Sequence, residues 1–484
     1  MRAELLEKTL SLCPVCLKTL PAEIWERGED VWLHRVCPEH GPFSLVIWRG
    51  EPNFRTWKRP KEPLKVVAQT PKNLGCPFDC GLCPEHGQNP CTVLLEITQR
   101  CDLNCPICFA NSGASERFTP LAELVDSLNW LRPNVGPVVL QISGGEPTLH
   151  PNLPELVAQA AKLFPAVQLN TNGLTLAQNP QLAQTLADQG LSWVFLQFDG
   201  LDDQIYQILR GRPLMKFKLA AIQACQAANL AVVLTPTVAK GVNDHQLGAL
   251  VDFARARPII RGAHIQPMTQ AGRYHLNGPN FRLTIPEILR ALNEQTGGLI
   301  KPEQAFPPGC EHERCSFHLR FRRLDDGSLI PRAPKADDCG CGPLGCSPKT
   351  TTIACPPEET DGNRLKAVDI IIQSWKADAA PASDLCPEPL EKAQAHPVSL
   401  DRKKPLELKI PMAKPKSLTL DDFLAQTKRE TFSVTGMAFQ DAYNMDLARL
   451  KGCCVHIYQA PHRLIPFCAM NLTSANGQSL YRKN

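Results

Sequence analysis

Residues 100–111, RCDLNCPICFAN, hold three thiols within eight positions, Cys101, Cys105 and Cys108, directly after the apolar run TVLLEIT at 92–98. That run reads as a buried strand bounded by turn signals, so the cysteines fall on a loop at the end of a first strand. Three cysteines spaced C-x3-C-x2-C suit a 4Fe-4S cluster and leave one iron without a protein ligand. An open iron binds a small molecule directly, just as a catalytic zinc keeps one position free.

The setting agrees with metal chemistry. The chain has 21 cysteines in 484 residues, and its N-terminus, MRAELLEKTLSLC, carries charges and no apolar h-region. No stretch approaches the ~18 consecutive apolar residues of a spanning helix. A soluble, cytoplasmic protein with no transmembrane segment is expected, and there dense cysteine clusters indicate metal or redox sites more than disulfides. The 52 basic and 48 acidic side chains leave a net charge of +4. This balance lacks the basic field of a nucleic-acid binder, so no nucleic acid is expected as a partner. Cys225, within AAIQACQAANL, reads as a small buried apolar residue.

After the cysteine loop, strand-like runs at 137–143, 166–172, 193–199, 230–238 and 262–268 alternate with amphipathic stretches such as LAELVDSLNWL and NLPELVAQAAKLF. Six successive βα units predict an α/β fold, a parallel sheet curled into a partial (βα)6 barrel with function at the carboxyl ends of the strands. The second strand ends in SGGEPTLHP. Gly144 and Gly145 let the backbone approach a ligand closely, and Glu146 with neighbouring main-chain groups is suited to an ammonium and carboxylate.

With CDLNCPIC, SGGEPT and LQFDGLDDQIYQILRGRP in this order, residues 92–300 resemble the radical S-adenosylmethionine (SAM) superfamily. The resemblance implies that Cys101, Cys105 and Cys108 ligate a 4Fe-4S cluster and that the amino-acid part of SAM chelates the open iron. It further implies that electron transfer cleaves the sulfonium to a 5'-deoxyadenosyl radical, which abstracts hydrogen from a substrate C–H bond. Carried over with it as cofactor contacts are Asn170, Thr171 and Asn172, which equally form an NTNG turn, then Gln197, Asp199 and Arg210, and finally Thr235, Thr237 and Gln266.

Upstream lie two more cysteine sites. CPVC and CPEHG supply Cys13, Cys16, Cys37 and His40, two knuckles about twenty residues apart that suit a zinc-ribbon or rubredoxin-like site holding zinc or iron. GCPFDCGLCPEHGQNPC supplies Cys76, Cys80, Cys83 and Cys91, suited to an auxiliary iron-sulfur cluster, with His86 as a substitute for Cys91 or a turn residue. Together with SVTGMAFQDAYNMDLARLKGCCVH…LIPFCAMN, these flanks resemble the superfamily branch that holds the pterin-methylating enzymes and the tetraether lipid synthases. That branch forms carbon-carbon bonds.

A C-terminal auxiliary cluster is expected from Cys310, Cys315, Cys454 and Cys468, with Cys453 the alternative to its neighbour Cys454 and His456 close by. Residues 330–415 are proline-rich and include Cys339, Cys341, Cys346, Cys355 and Cys386, and read as a partly ordered loop. Four units are thus expected: a metal module at 1–60, an auxiliary cluster segment at 61–91, the barrel at 92–300 and a cysteine-containing extension at 301–484. The expected activity is a radical SAM transferase that moves a methyl or one-carbon unit onto a pterin-like small molecule. The alternative is coupling of lipid alkyl chains. Either needs a reductant such as flavodoxin or ferredoxin.

Overall fold

The computed structural model describes residues 3–59, 66–115, 117–274, 281–332, 362–376 and 430–482. Cys339, Cys341, Cys346, Cys355 and Cys386 lie outside the described residues.

Strands β1 (Glu4–Leu12), β2 (Thr19–Arg27), β3 (Asp30–Cys37) and β4 (Gly41–Arg49) form an antiparallel meander in sequence order. The period-2 pattern of β3 dictates its two faces: Val31, Leu33, Arg35 and Cys37 are buried, and Trp32, His34 and Val36 turn the other way. The buried Arg35 anchors the module to the rest of the chain. Its Nε donates to Leu12 O (2.7 Å), and its Nη2 donates to Ala442 O and Tyr443 O (3.2 and 2.7 Å).

The six expected strands are present as β5 (Thr92–Glu96), β7 (Val139–Ser143), β8 (Ala166–Thr171), β9 (Trp193–Gln197), β10 (Val232–Thr235) and β12 (Ile260–Pro267). Two-residue β6 (Ile107–Cys108) and β11 (Thr237–Val238) accompany them, and β13 (Arg273–Tyr274) pairs antiparallel with β6. The sheet is larger than the six units predict. β16 (Thr431–Met437) pairs parallel with β12, and β17 (Val455–Gln459) pairs parallel with β5, so the C-terminal extension adds a strand to each edge of the curled sheet. Antiparallel β14 (Ser316–Arg323), β15 (Leu329–Pro331) and β18 (Arg463–Pro466) complete it, in the order β15-β14-β16-β12-β10-β9-β8-β7-β5-β17-β18. These edge strands come from short segments outside the six βα units, such as TFSVTGM and VHIYQ, where periodicity alone gives little sign of a parallel strand.

Alternation along each core strand separates an outer apolar face from a mixed inner one. On β7, Leu140 and Ile142 join the core under the helices, while Val139, Gln141 and Ser143 face the barrel interior. Helix α1 (Leu121–Val135) presents Leu124, Leu128, Leu131 and Val135 to that core. Truncating the fully buried Leu128 to alanine would cost about 2–5 kcal/mol. Helix α2 (Asp203–Arg210) starts at Asp202, whose carboxylate accepts from Gln204 N and Ile205 N, and ends at Gly211 with φ +83°. Those two caps fix Arg210 in the last turn. No helix among the described residues is long and apolar enough to cross a membrane.

Candidate active site

A cavity of about 280 Å³ opens at the carboxyl ends of the strands and runs into the barrel. Cys101, Cys105 and Cys108 line it together with Gly144, Gly145 and Glu146. The two glycines serve loop packing: a Cβ at Gly144 would lie 2.3 Å from Thr98 O, and one at Gly145 2.2 Å from Arg100 O. This close approach lets Gly145 N and Glu146 N donate to Thr98 O and Arg100 O (2.8 and 2.7 Å), locking the GGE turn to the base of the cysteine loop.

The loop is clamped from its other side by Arg273, which sequence reading missed. Its Nε donates to Cys105 O (2.6 Å), Nη2 to Ser112 O (2.9 Å) and Nη1 to Asn111 Oδ1 (3.3 Å). Gly272 precedes it with φ +62°, and a Cβ there would meet Phe109 O at 2.2 Å. The signal available was the dipeptide Gly272-Arg273 shortly after the last barrel strand.

Glu146 is buried and accepts from Thr148 N, Thr148 Oγ1, Thr171 Oγ1 (2.6 Å) and Asn172 N (2.7 Å). Burial raises its pKa despite those bonds. Asn172 also donates to Asp102 Oδ1 (2.7 Å), tying the third strand to the cysteine loop. Arg210 is bidentate to Asp199 (2.7 Å each) and donates to Ile107 O and Thr237 Oγ1 (3.1 and 2.9 Å). Asp199 is fully buried behind it, so the pair braces the cysteine loop. Gln197, Thr235 and Gln266 line the cavity with Arg210, and Asn170 lies deeper, bonded to Gln141 and Gln168. The buried Lys218 donates to Gln197 Oε1 (3.0 Å), and burial pulls its pKa down to about 8.

The N-terminal ligand set has the spacing of a tetrahedral site. Cys13 Sγ and Cys37 Sγ stand 3.6 and 3.5 Å from His40 Nδ1, and Cys16 Sγ stands 3.9 Å from Cys37 Sγ. Ligands about 2.0–2.3 Å from one metal at tetrahedral angles are roughly 3.5–3.8 Å apart, so these atoms fit a single ion.

Residues 95–254 match the family model of the radical SAM superfamily, and residues 5–49 match that of the HMPTM N-terminal zinc ribbon domain. The chain is 32% identical to 7,8-dihydro-6-hydroxymethylpterin dimethyltransferase of Methanocaldococcus jannaschii, over 96% of this chain and 93% of that one. The chain belongs to the radical SAM superfamily. Within this superfamily it falls in the branch of the pterin-methylating enzymes. A shorter likeness, 31% over 33% of this chain and 49% of the other, is to a GTP 3',8-cyclase of Erythrobacter litoralis. Among solved structures, SuiB of Streptococcus suis with its precursor peptide SuiA matches at a TM-score of 0.38 and 19% identity, over 44% of this chain and 46% of that one.

The cavity fits the cofactors that the radical SAM superfamily implies. Burial pushes the Cys101 thiol up to about 12 and raises that of Cys105 against the pull of the Arg210 guanidinium, so thiolates there call for a metal. Thr235 Oγ1 is buried on the cavity wall and has no hydrogen-bond partner among the described residues, as suits a group that meets a bound molecule.

The remaining thiols fall into groups different from the two expected quartets. Cys91 is not with Cys76, Cys80 and Cys83. It lies with Cys310 and Cys454, all three sulfurs within 4.8 Å of one another, and its Sγ is 3.1 Å from that of Cys454. The physical reason is strand pairing: Cys91 immediately precedes β5, and Cys454 immediately precedes its parallel neighbour β17, with Cys91 N donating to Cys454 O. Cys76, Cys80 and Cys83 line a small separate cavity with His86. Cys315, Cys453 and Cys468 line a third with Cys454 and Arg449, whose Nη2 contacts Cys315 Sγ at 3.2 Å. His456 packs against His86, with ring centroids 5.0 Å apart.

Proposed function

We propose that this chain is a radical SAM transferase that adds a one-carbon unit to a carbon of a pterin-like heterocycle. The observation that carries the reading is the interior of the cavity. Among apolar side chains such as Leu94, Val139 and Ile371, its lining carries the amides of Gln141 and Asn170 and the rings of Phe195, His264 and Trp375, polar groups that a heterocycle can use and a lipid chain cannot. The likeness to the dihydropterin dimethyltransferase over 96% of the chain supports the same substrate class.

In this proposal Cys101, Cys105 and Cys108 hold the 4Fe-4S cluster, and Gly144, Gly145, Glu146, Asn172, Gln197, Asp199, Arg210, Thr235 and Gln266 bind or orient SAM. When bound and reduced, these cofactors supply a 5'-deoxyadenosyl radical. The chain's own contribution is placement. Arg273 and Arg210 fix the cysteine loop through its backbone oxygens, and the GGE turn holds its base. Thr235 offers a hydroxyl without a partner among the described residues. The Arg482–Glu96 pair (2.6 and 3.0 Å) balances the charge on the β5 wall.

The zinc ribbon holds zinc through Cys13, Cys16, Cys37 and His40. Auxiliary iron-sulfur clusters use Cys76, Cys80 and Cys83 on one side and Cys91, Cys310 and Cys454 on the other, with Cys315, Cys453 and Cys468 the adjoining candidate set. A cytoplasmic location, a flavodoxin- or ferredoxin-type reductant and the four-unit division at residues 60, 91 and 300 belong to the same reading.

The test incubates anaerobically reconstituted protein with SAM, reductant, 7,8-dihydro-6-hydroxymethylpterin and a small-molecule cell extract as the source of the one-carbon donor, and follows products by mass spectrometry. A methylated pterin, absent with Cys105→Ala, is the expected result. Formation of 5'-deoxyadenosine with no pterin product, together with altered lipids in cells, would replace this reading with alkyl-chain chemistry.

A further inference from the structure

Trp193 sits fully buried beneath the cavity, and an indole N–H can only donate. Its Nε1 donates to Gln168 Oε1 at 2.9 Å, which leaves the Gln168 amide nitrogen to donate to Asn170 Oδ1 at 2.6 Å. Asn170 Nδ2 in turn donates to Gln141 Oε1 at 3.1 Å and Ser143 Oγ at 3.4 Å. Each amide has one accepting and one donating end, so the single-ended indole sets the direction of the whole row. The last member, Gln141, lines the cavity, and its oxygen is taken by Asn170, which leaves the Nε2 end to face a ligand. The row therefore delivers a donor, and never an acceptor, to the middle of the pocket.

We propose that Gln141 is a specificity-determining residue whose amide N–H reads a lactam carbonyl on the bound heterocycle, with Trp193, Gln168 and Asn170 as positioning residues. The inference rests on the heterocycle reading above. Three side chains fix the donor before any ligand arrives, so a ring presenting a carbonyl loses little freedom on binding. A ring presenting an amino group at that point sets N–H against N–H. The wrong polarity is expected to lower affinity roughly ten- to hundredfold, the range for an unsatisfied buried donor. Elsewhere on the cavity wall, Phe195 and Trp375 pack with ring centroids 5.0 Å apart, and burial holds His264 uncharged.

The test measures binding of two probes to the reconstituted full chain with SAM bound: 7,8-dihydro-6-hydroxymethylpterin and its 2,4-diamino counterpart, which carries an amino group in place of the lactam carbonyl. Wild type is expected to favour the carbonyl probe tenfold or more. In Gln168→Glu, measured at a pH high enough to ionise the buried carboxyl, the carboxylate accepts from both Trp193 and Asn170, so Asn170 turns its oxygen to Gln141, and Gln141 turns its own oxygen into the cavity. That variant is expected to reverse the preference, an effect that loosened packing would not produce. Trp193→Phe removes the indole that sets the direction and is expected to bring the preference near unity, which keeps the test decisive if Gln168→Glu fails to fold. SAM binding reports folding for both variants. Wild type binding both probes equally, or a folded Gln168→Glu protein with unchanged preference, overturns this inference and leaves the pterin reading standing. Wild type binding neither probe overturns both.

Discussion

Arg273 Nε donates to the main-chain oxygen of Cys105 at 2.6 Å, across 168 positions of sequence. The same guanidinium reaches Ser112 O and Asn111 Oδ1, so one side chain spans both arms of the cysteine loop. Bonds from a charged donor contribute about 1.5–3 kcal/mol each, and a planar fork makes three of them with one ordered side chain.

Arg273→Ala is therefore expected to weaken SAM binding on the order of tenfold or more and to shorten the lifetime of the loop-held cluster in air. Arg273→Lys keeps the charge but loses the fork, and is expected to recover less than half of the loss. Equilibrium dialysis with SAM and the decay of iron-sulfur absorbance check both. Cluster lifetime equal to wild type in the alanine variant would show the clamp to be dispensable.

The barrel was legible because its strands are short apolar runs between amphipathic helices, and all six fall within a few residues of their expected positions. The cysteine loop and the GGE turn were legible as local motifs. Pairing across the sheet edges was not, because no local pattern says that the segment at 455–459 lies beside that at 92–96. That is why Cys91 was grouped with its neighbours in sequence and not with Cys454, 363 positions away. Arg273, Gln141 and Gln168 escaped notice for the same reason, as did the pairing of Asn170 with the two glutamines: each is an unremarkable polar contact until the strands align.

The regrouped thiols separate in a metal analysis. If Cys91, Cys310 and Cys454 share one site and Cys76, Cys80 and Cys83 another, Cys454→Ser and Cys83→Ser should each remove about one cluster's iron, about four atoms, and the double variant about twice that. The original quartets make a different prediction, since Cys91→Ser would then resemble Cys83→Ser in its spectrum. Resemblance to Cys454→Ser is the outcome expected here.

The zinc ribbon is expected to be structural. Cys37→Ser removes one ligand of a four-ligand site whose module is anchored to residues 442–443 by Arg35. It should release the metal and lower the unfolding temperature, while leaving the spectrum of the cluster at the cysteine loop unchanged. A changed spectrum would connect the ribbon to the catalytic centre.

His264 should make the protein acid-sensitive. Its imidazole is buried on the cavity wall, with Nδ1 2.8 Å from Thr435 Oγ1 and the Phe195 and Trp375 rings 5.5 and 6.2 Å away, and burial pulls its pKa down to about 4. An unfolded histidine titrates near 6.5, so between about pH 6.5 and pH 4 the unfolded chain binds the extra proton. Stability therefore falls as pH drops through that window and levels off below it, with this group contributing a loss of about 2 kcal/mol between pH 7 and pH 5. His264→Gln cannot titrate. Whatever the substitution costs at neutral pH, the difference between wild-type and variant unfolding free energies should shrink by that amount at pH 5, as read from denaturant titrations at the two values. A difference that stays constant would mean that the imidazole takes up its proton in the folded protein at its ordinary pKa, and the cavity wall would then carry a cation at pH 5.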